Sequence, residues 1–194
     1  MTIKKRTSLV DNAKFRTAET DNGEKVIEGY FVVFDELTNL FGDFYEKVSP
    51  DAISDNINNQ DVRALYDHDT SKVLGRTKSG TLTLTKDSKG LWGKIVVNED
   101  DSEALSIYSK IKRGDVSQAS FGFYINDEDY TSNGNSTIST LTDIELFEVS
   151  VVAFPAYPST EISARSKDVE SFKQRQFEAR KNKLLNQLKE KSHA

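Results

Sequence analysis

His68 lies in the stretch Leu65-Tyr66-Asp67-His68-Asp69 and is one of only two histidines in the chain; the other, His193, sits in a charged tail. His68 is therefore the one ordinary general base near neutral pH in the part of the chain patterned to fold. Three uses fit it: a base, a metal ligand, or a half-exposed polar residue at the end of the short strand "VRALYDHD". Asp67 and Asp69 crowd carboxylates around it. As immediate neighbours in an extended chain they project to the face opposite His68, so an acid that orients the ring is expected from elsewhere.

Nucleophiles are restricted by the absence of cysteine, which removes disulfides, a thiol nucleophile and thiolate metal sites together. Hydroxyls activated by a base remain. Ser120 stands out in "SQASFGFYI", with small residues before it and Phe121, Gly122 and Phe123 after it. Gly122 would let another backbone or a bound peptide approach closely. The structural alternative is a strand serine bonded to a neighbour. The acid candidate is Glu148, which interrupts an apolar run from Leu146 to Ala153 in "IELFEVSVVAF". Strand alternation puts it on one face with Leu146, Ser150 and Val152, pointing partly inward, where a carboxylate needs a partner. That partner is either an arginine, Arg63 or Arg76, or a histidine it holds in the right tautomer.

Other chemistry finds little support. A zinc site would need mostly carboxylate ligands, and the ten glycines are scattered with no phosphate-cradling loop, so neither a metal nor a cofactor is expected. The acidic "NDEDYTSNGN" lacks the ligand spacing and closing glutamate of a calcium loop and reads as an exposed hairpin tip turning at Asn133-Gly134. From Ser166 to Ala194, eight Lys or Arg face four Asp or Glu, so of the net charge of −5 the tail carries +4 and the rest −9. An acidic body argues against nucleic acid as its main ligand. No apolar run approaches a bilayer span, and "MTIKKRTSLVDNAKF" lacks the apolar core of a secretory signal, so no membrane role is expected and cytoplasmic synthesis is.

The elements that must position these residues are mostly strands. Residues 1–24 read as a polar, loosely held N-terminal arm. "KVIEGYFVVFDE" is a strand with a bend at Gly29, and "VSPDAISDNINN" starts a helix with Ser49 as cap and Pro50 at its first position. "TLTLTKDSKGLWGKIVVNE" is a hairpin. "NEDDSEALSIYSKIKRGD" is a helix capped by Asp101 or Ser102, with Leu105, Tyr108 and Ile111 on one stripe and Gly114 at its end. "VSQASFGFYI" and "LTDIELFEVSVVAF" are strands, and residues 166–194 form a charged helical tail with a thin apolar stripe. The fold class predicted is α+β: a mostly antiparallel β-barrel or curled sheet with a few short flanking helices and the C-terminal helical tail.

In order along the chain, "VFDELTNLFGDFYEKVSPDAI", "LYDHDTSKVLGRT", "SQASFGF" and "LFEVSVVAFPAYPSTEI" resemble the tailed-phage prohead proteases. These are serine peptidases of capsid maturation related in fold to the herpesvirus assemblins. The resemblance spans about residues 25–165. It implies His68 as the histidine of an "NHD"-type motif, with Asp67 where an asparagine is common. It places the nucleophile at Ser120, not Ser117, and the acid of the "EVS" segment at Glu148. The assemblins use a second histidine as third member; the body here has none, so a carboxylate must serve, and Arg76 of "LGR" would support the site. The implied substrates are scaffolding protein or the scaffold-like arm of the major capsid protein, and the protease itself. The implied setting is the immature capsid assembled in host cytoplasm, and the assemblin likeness favours a homodimer. The rivals are a catalytically silent capsid-assembly or scaffold-binding protein of the same fold and, more distantly, a β-barrel ligand-binding module.

Overall fold

The computed structural model describes residues 4–10, 15–153, 169–175, 177, 178 and 181. Their strands run in the order β1 (Lys4–Val10), β2 (Arg16–Glu19), β3 (Lys25–Val33), β4 (Thr38–Phe41), β5 (Phe44–Val48), β6 (Arg63–Tyr66) and β7 (Asp69–Arg76). There follow β8 (Leu82–Lys86), β9 (Gly90–Val96), the helix α1 (Ser102–Arg113), β10 (Gln118–Asn133) and β11 (Ser136–Val152).

The strands form two open sheets and do not close into the barrel that the hairpins suggested. One sheet is antiparallel, in the order β2-β3-β9-β8. The other is built on the long β10–β11 hairpin, whose loop is Gly134-Asn135, with Gly134 at φ 62°. β1 adds to the free edge of β10. The other edge of β11 is shared: β5 pairs its first half and β6 its second, both parallel. Local hairpin signals could not announce these parallel pairings, because they join segments far apart in the chain. The loosely held arm expected over residues 1–24 is, where described, sheet backbone: β1 lies on β10 and β2 on β3.

The core lies between the sheets. Ile27, Phe31, Leu82, Leu84, Leu91 and Ile95 of the smaller sheet are buried in one cluster with Phe121, Phe123, Val149 and Val151 of the larger. Each such side chain contributes about 1.5–3 kcal/mol by leaving water. α1 closes one end with Ala104, Ile107, Tyr108 and Ile111. Asp101 caps it by accepting from the Glu103 and Ala104 N–H groups, and Gly114 ends it at φ 86°.

The helix expected from "VSPDAISDNINN" is instead two three-residue 3-10 turns, Pro50–Ala52 and Ile57–Asn59. Ser49 caps the first as expected, accepting from Asp51 N–H at 3.4 Å. Beyond it Ser54, Asp55 and Asn56 favour local side-chain turns over a continuing helix. The bend expected at Gly29 falls one step later, as a register shift between Tyr30 and Val32.

Residues 169–175 are helical, as are 177, 178 and 181. Val169 is buried against Leu40 and Phe44, and Phe172 stacks on Tyr130 with ring centres 5.1 Å apart. The remainder of the tail expected over 166–194 lies outside the described residues. Among those described, no helix is long and apolar enough to cross a membrane.

Candidate active site

The three residues singled out by chemistry converge on one stretch of the larger sheet. In the β10–β11 pairing Ser120 stands opposite Ser150 and Gly122 opposite Glu148. On the far side of β11, Leu65 of β6 stands opposite Ser150 and Tyr66 opposite Val151. The chain then reverses into β7 through Asp67 and His68, with Tyr66 pairing Asp69.

His68 is not the end of a strand, as its sequence context suggested, but half of a two-residue reversal. Asp67 has φ 49° and His68 φ 60°, both left-handed. Two central residues at positive φ are what a tight hairpin of this twist requires. For a residue with a side chain that conformation costs about 1 kcal/mol or more, least for Asp or Asn.

Bonds to β11 offset the cost. Asp67 N–H donates to the Val151 carbonyl at 2.9 Å. His68 N–H donates to Ser150 Oγ at 2.9 Å, and Ala153 N–H donates to Asp67 Oδ1 at 2.9 Å. Asp67 therefore holds the reversal directly, a role its place beside His68 did not suggest. Asp69 instead accepts from the N–H and hydroxyl of Ser71, which keep its carboxyl below the usual range.

The reversal points the imidazole back over β11. His68 Nδ1 lies 2.7 Å from Glu148 Oε1. A carboxylate oxygen accepts, so Nδ1 donates in this bond and Nε2 is the ring nitrogen left over. Nε2 is buried and has no hydrogen-bond partner among the described residues. Glu148 is 6% exposed, and of its two expected kinds of partner it has the histidine. Arg76 forks onto Asp61 at 2.6 and 2.7 Å, and Arg63 reaches the same carboxylate at 3.3 Å. The hydrogen bonds from Arg76 hold the Asp61 carboxyl at about 2. The support expected of Arg76 thus goes to Asp61.

Glu148 shares this face with Ser150, as strand alternation gives, but an irregularity follows it. The register shifts between Gly122 and Phe123, so that Phe123 pairs Leu146 and Phe147 is the extra residue. Leu146 joins the core with Phe123, while Glu148 turns to His68. The expectation that Leu146 and Glu148 share a face is thereby overturned.

Ser120 is brought to the same part of the sheet but not into contact with His68. It is 1% exposed, and its hydroxyl donates to the Ser8 carbonyl of β1 at 2.8 Å. Ser8 in turn donates its own hydroxyl to Glu46 Oε1 at 2.9 Å. The sequence reading did not assign a role to Ser150. Its signal was a second polar residue in the apolar run, two positions from Glu148 and fully buried.

The structure thus brings an acid and an imidazole into contact, with a buried serine on the strand beside the acid that touches neither of them. No curated protein matches the chain in sequence. Among solved structures, that of the bacteriophage T4 capsid assembly protease, gp21, aligns with a TM-score of 0.49 and 13% identity, covering 77% of this chain and 96% of its own. The family model for the Caudovirus prohead serine protease matches residues 11–175, and the chain belongs to that family of capsid-maturation serine proteases.

Proposed function

We propose that the chain is a serine endopeptidase in which Ser120 is the nucleophile, His68 the general base and Glu148 the acid that orients it. The observation that carries this reading is the 2.7 Å bond between His68 Nδ1 and Glu148 Oε1, which leaves Nε2 as the basic atom. Ser120 Oγ bonds to the carbonyl carbon of the substrate while its proton passes to Nε2. The imidazolium, stabilised by Glu148, then gives that proton to the leaving amine as the peptide C–N bond breaks. Water repeats the sequence on the acyl-enzyme, and backbone N–H groups hold the oxyanion.

For this the Ser120 hydroxyl leaves the Ser8 carbonyl and turns about χ1 into another staggered well, toward β11. Giving up one such hydrogen bond costs about 1 kcal/mol net. That is less than a factor of ten in rate, and it is small beside the 8 kcal/mol or more by which enzymes lower barriers. The substrates are scaffolding protein or the scaffold-like arm of the major capsid protein, cut inside the immature capsid, together with the protease's own basic tail from Ser166. The likeness to the assemblins supports a homodimer or a higher assembly as the active form.

A second reading is favoured by the same Ser120–Ser8 bond and by the 1% exposure of Ser120. In it the serine is structural and the protein a silent assembly component. A fluorophosphonate probe, which phosphonylates activated serines, separates the two. The wild type is expected to label at Ser120 and to show self-cleavage products by intact mass. Both are expected to vanish in Ser120→Ala and in His68→Gln. Equal labelling and equal mass spectra for wild type and Ser120→Ala would establish the silent reading.

A further inference from the structure

We infer that Gly122 is a positioning residue: its missing side chain is the space through which Glu148 reaches His68. The inference rests on the Ser120–His68–Glu148 reading and deepens it. A Cβ on Gly122 would stand 2.6 Å from both Cγ and Oε1 of Glu148, and 2.7 Å from Cε2 of Phe147. Oε1 is the atom bonded to His68 Nδ1. The backbone does not require glycine here, since the φ of Gly122 lies outside the left-handed region. The demand comes entirely from the neighbouring strand.

Three features combine. Glu148 stands directly opposite Gly122, in unbroken register with Ser150 opposite Ser120, and the shift that makes Phe147 an extra residue follows at the next position. The Phe147 ring is packed on Tyr124, with centres 4.9 Å apart, so it yields poorly. The far end of the Glu148 side chain is what can move. To regain ordinary contact at 3.4 Å from a new Cβ, Oε1 must shift by about 0.8 Å. Cγ stands equally close and must withdraw too, so the carboxylate is displaced as a whole, and a displacement of that size is enough to spoil the 2.7 Å bond to His68. The cost of Gly122→Ala therefore falls first on the orientation of the imidazole. The room that Gly122 leaves is expected from the sequence to admit another backbone or a peptide, whereas what approaches is the Glu148 side chain of its own chain.

The test is a cycle of Gly122→Ala, Glu148→Gln and the double variant, read as the rate of labelling by the fluorophosphonate probe. Gly122→Ala is expected to slow labelling about 10²-fold, and the double variant to label within about twofold of Glu148→Gln alone, because both changes remove one interaction. A Gly122→Ala rate within threefold of wild type, or single effects that multiply in the double variant, overturns the inference. A second readout is independent of the serine: the low-field Nδ1–H proton resonance of His68 in the Ser120→Ala protein. It is expected to be present and to be lost on adding Gly122→Ala; its persistence overturns the inference. If Gly122→Ala does not fold, Glu148→Ala and Phe147→Ala together in the same chain are expected to clear the space and restore folding, and failure of that rescue counts equally against it. Wild-type protein that does not label sinks the proposed nucleophile instead, leaving the resonance to decide the role of Gly122.

Discussion

Ser150→Ala removes a single oxygen near the end of β11 and tests how the Asp67-His68 turn is held. Asp67 and His68 both occupy left-handed backbone, at a combined cost of about 2 kcal/mol. Three hydrogen bonds tie the reversal to β11, through Asp67 N–H, His68 N–H and Asp67 Oδ1. At about 1 kcal/mol each they contribute about 3 kcal/mol, so the turn is held by a narrow margin. Ser150 is fully buried, and without its hydroxyl the His68 N–H loses its acceptor, at a cost of about 1–3 kcal/mol. The margin is then consumed, and the imidazole is no longer held over Glu148.

In a domain of this size 1 kcal/mol moves Tm by about 2–4 °C, so a fall of roughly 4–8 °C is expected by calorimetry for a loss of about 2 kcal/mol. Probe labelling of Ser120 is expected to slow by about 10–100-fold, since each 1.4 kcal/mol of lost orientation is worth tenfold. Ser150 lies opposite Ser120, and a direct effect on the nucleophile must be separated from one on the turn. The low-field His68 resonance, measured in Ser120→Ala protein, does so and is expected to disappear. A Tm within 1 °C of wild type together with labelling within twofold would refute the reasoning.

Two further outcomes follow from the same neighbourhood. Asp67→Asn keeps the acceptor for Ala153 N–H and a residue tolerant of positive φ, so stability within about 0.5 kcal/mol of wild type is expected. Asp67→Ala lacks both and is expected to lose about 1–2 kcal/mol, read from urea midpoints at constant m. Arg76→Ala is expected to leave labelling within threefold, because its guanidinium is spent on Asp61. The folded carboxyl of Asp61 is depressed from 3.8 to about 2. Its contribution is therefore present in full above the unfolded value and lost as pH falls through about 2; acid titration of unfolding is expected to show less proton uptake in that window for Arg76→Ala than for wild type, with Arg63 retaining part of the effect. Uptake undiminished in the variant would break the assignment.

What could be read before the structure was what depends on neighbours in sequence. α1 carries its own cap, stripe and stop in Asp101, Tyr108, Ile111 and Gly114, and the structure has each in place. The β8–β9 and β10–β11 hairpins carried turn signals between alternating residues. His68 and Glu148 stand out in the sequence by elimination and by type, whereas the roles of Ser120 and Glu148 come from the resemblance; the structure joins His68 to Glu148 and ties Ser120 to Ser8. The approach of His68 to Glu148 was a matter of geometry that no spacing revealed, for it depends on a reversal built without glycine. The place of Ser8 was equally hidden: the carbonyl that receives the Ser120 hydroxyl belongs to a polar segment with no strand periodicity of its own, recruited by the edge of β10. Arg76 showed the converse, an attractive neighbour in sequence whose partner, Asp61, lies outside the motif.

The bond from Ser120 to Ser8 joins positions 112 residues apart. Closing a loop of that length costs about 4 kcal/mol of chain entropy, and no part of it is recovered until β10 exists. At ribosomal speeds of roughly 5–20 residues per second, β1 waits on the order of ten seconds for the strand it will flank. During that interval its backbone donors and acceptors face water, and Ser120 has not been made. The contact of the serine with Ser8 thus waits for β10, and that of His68 with Glu148 waits longer still, for β11, so a nascent chain holds neither before its sheet is complete.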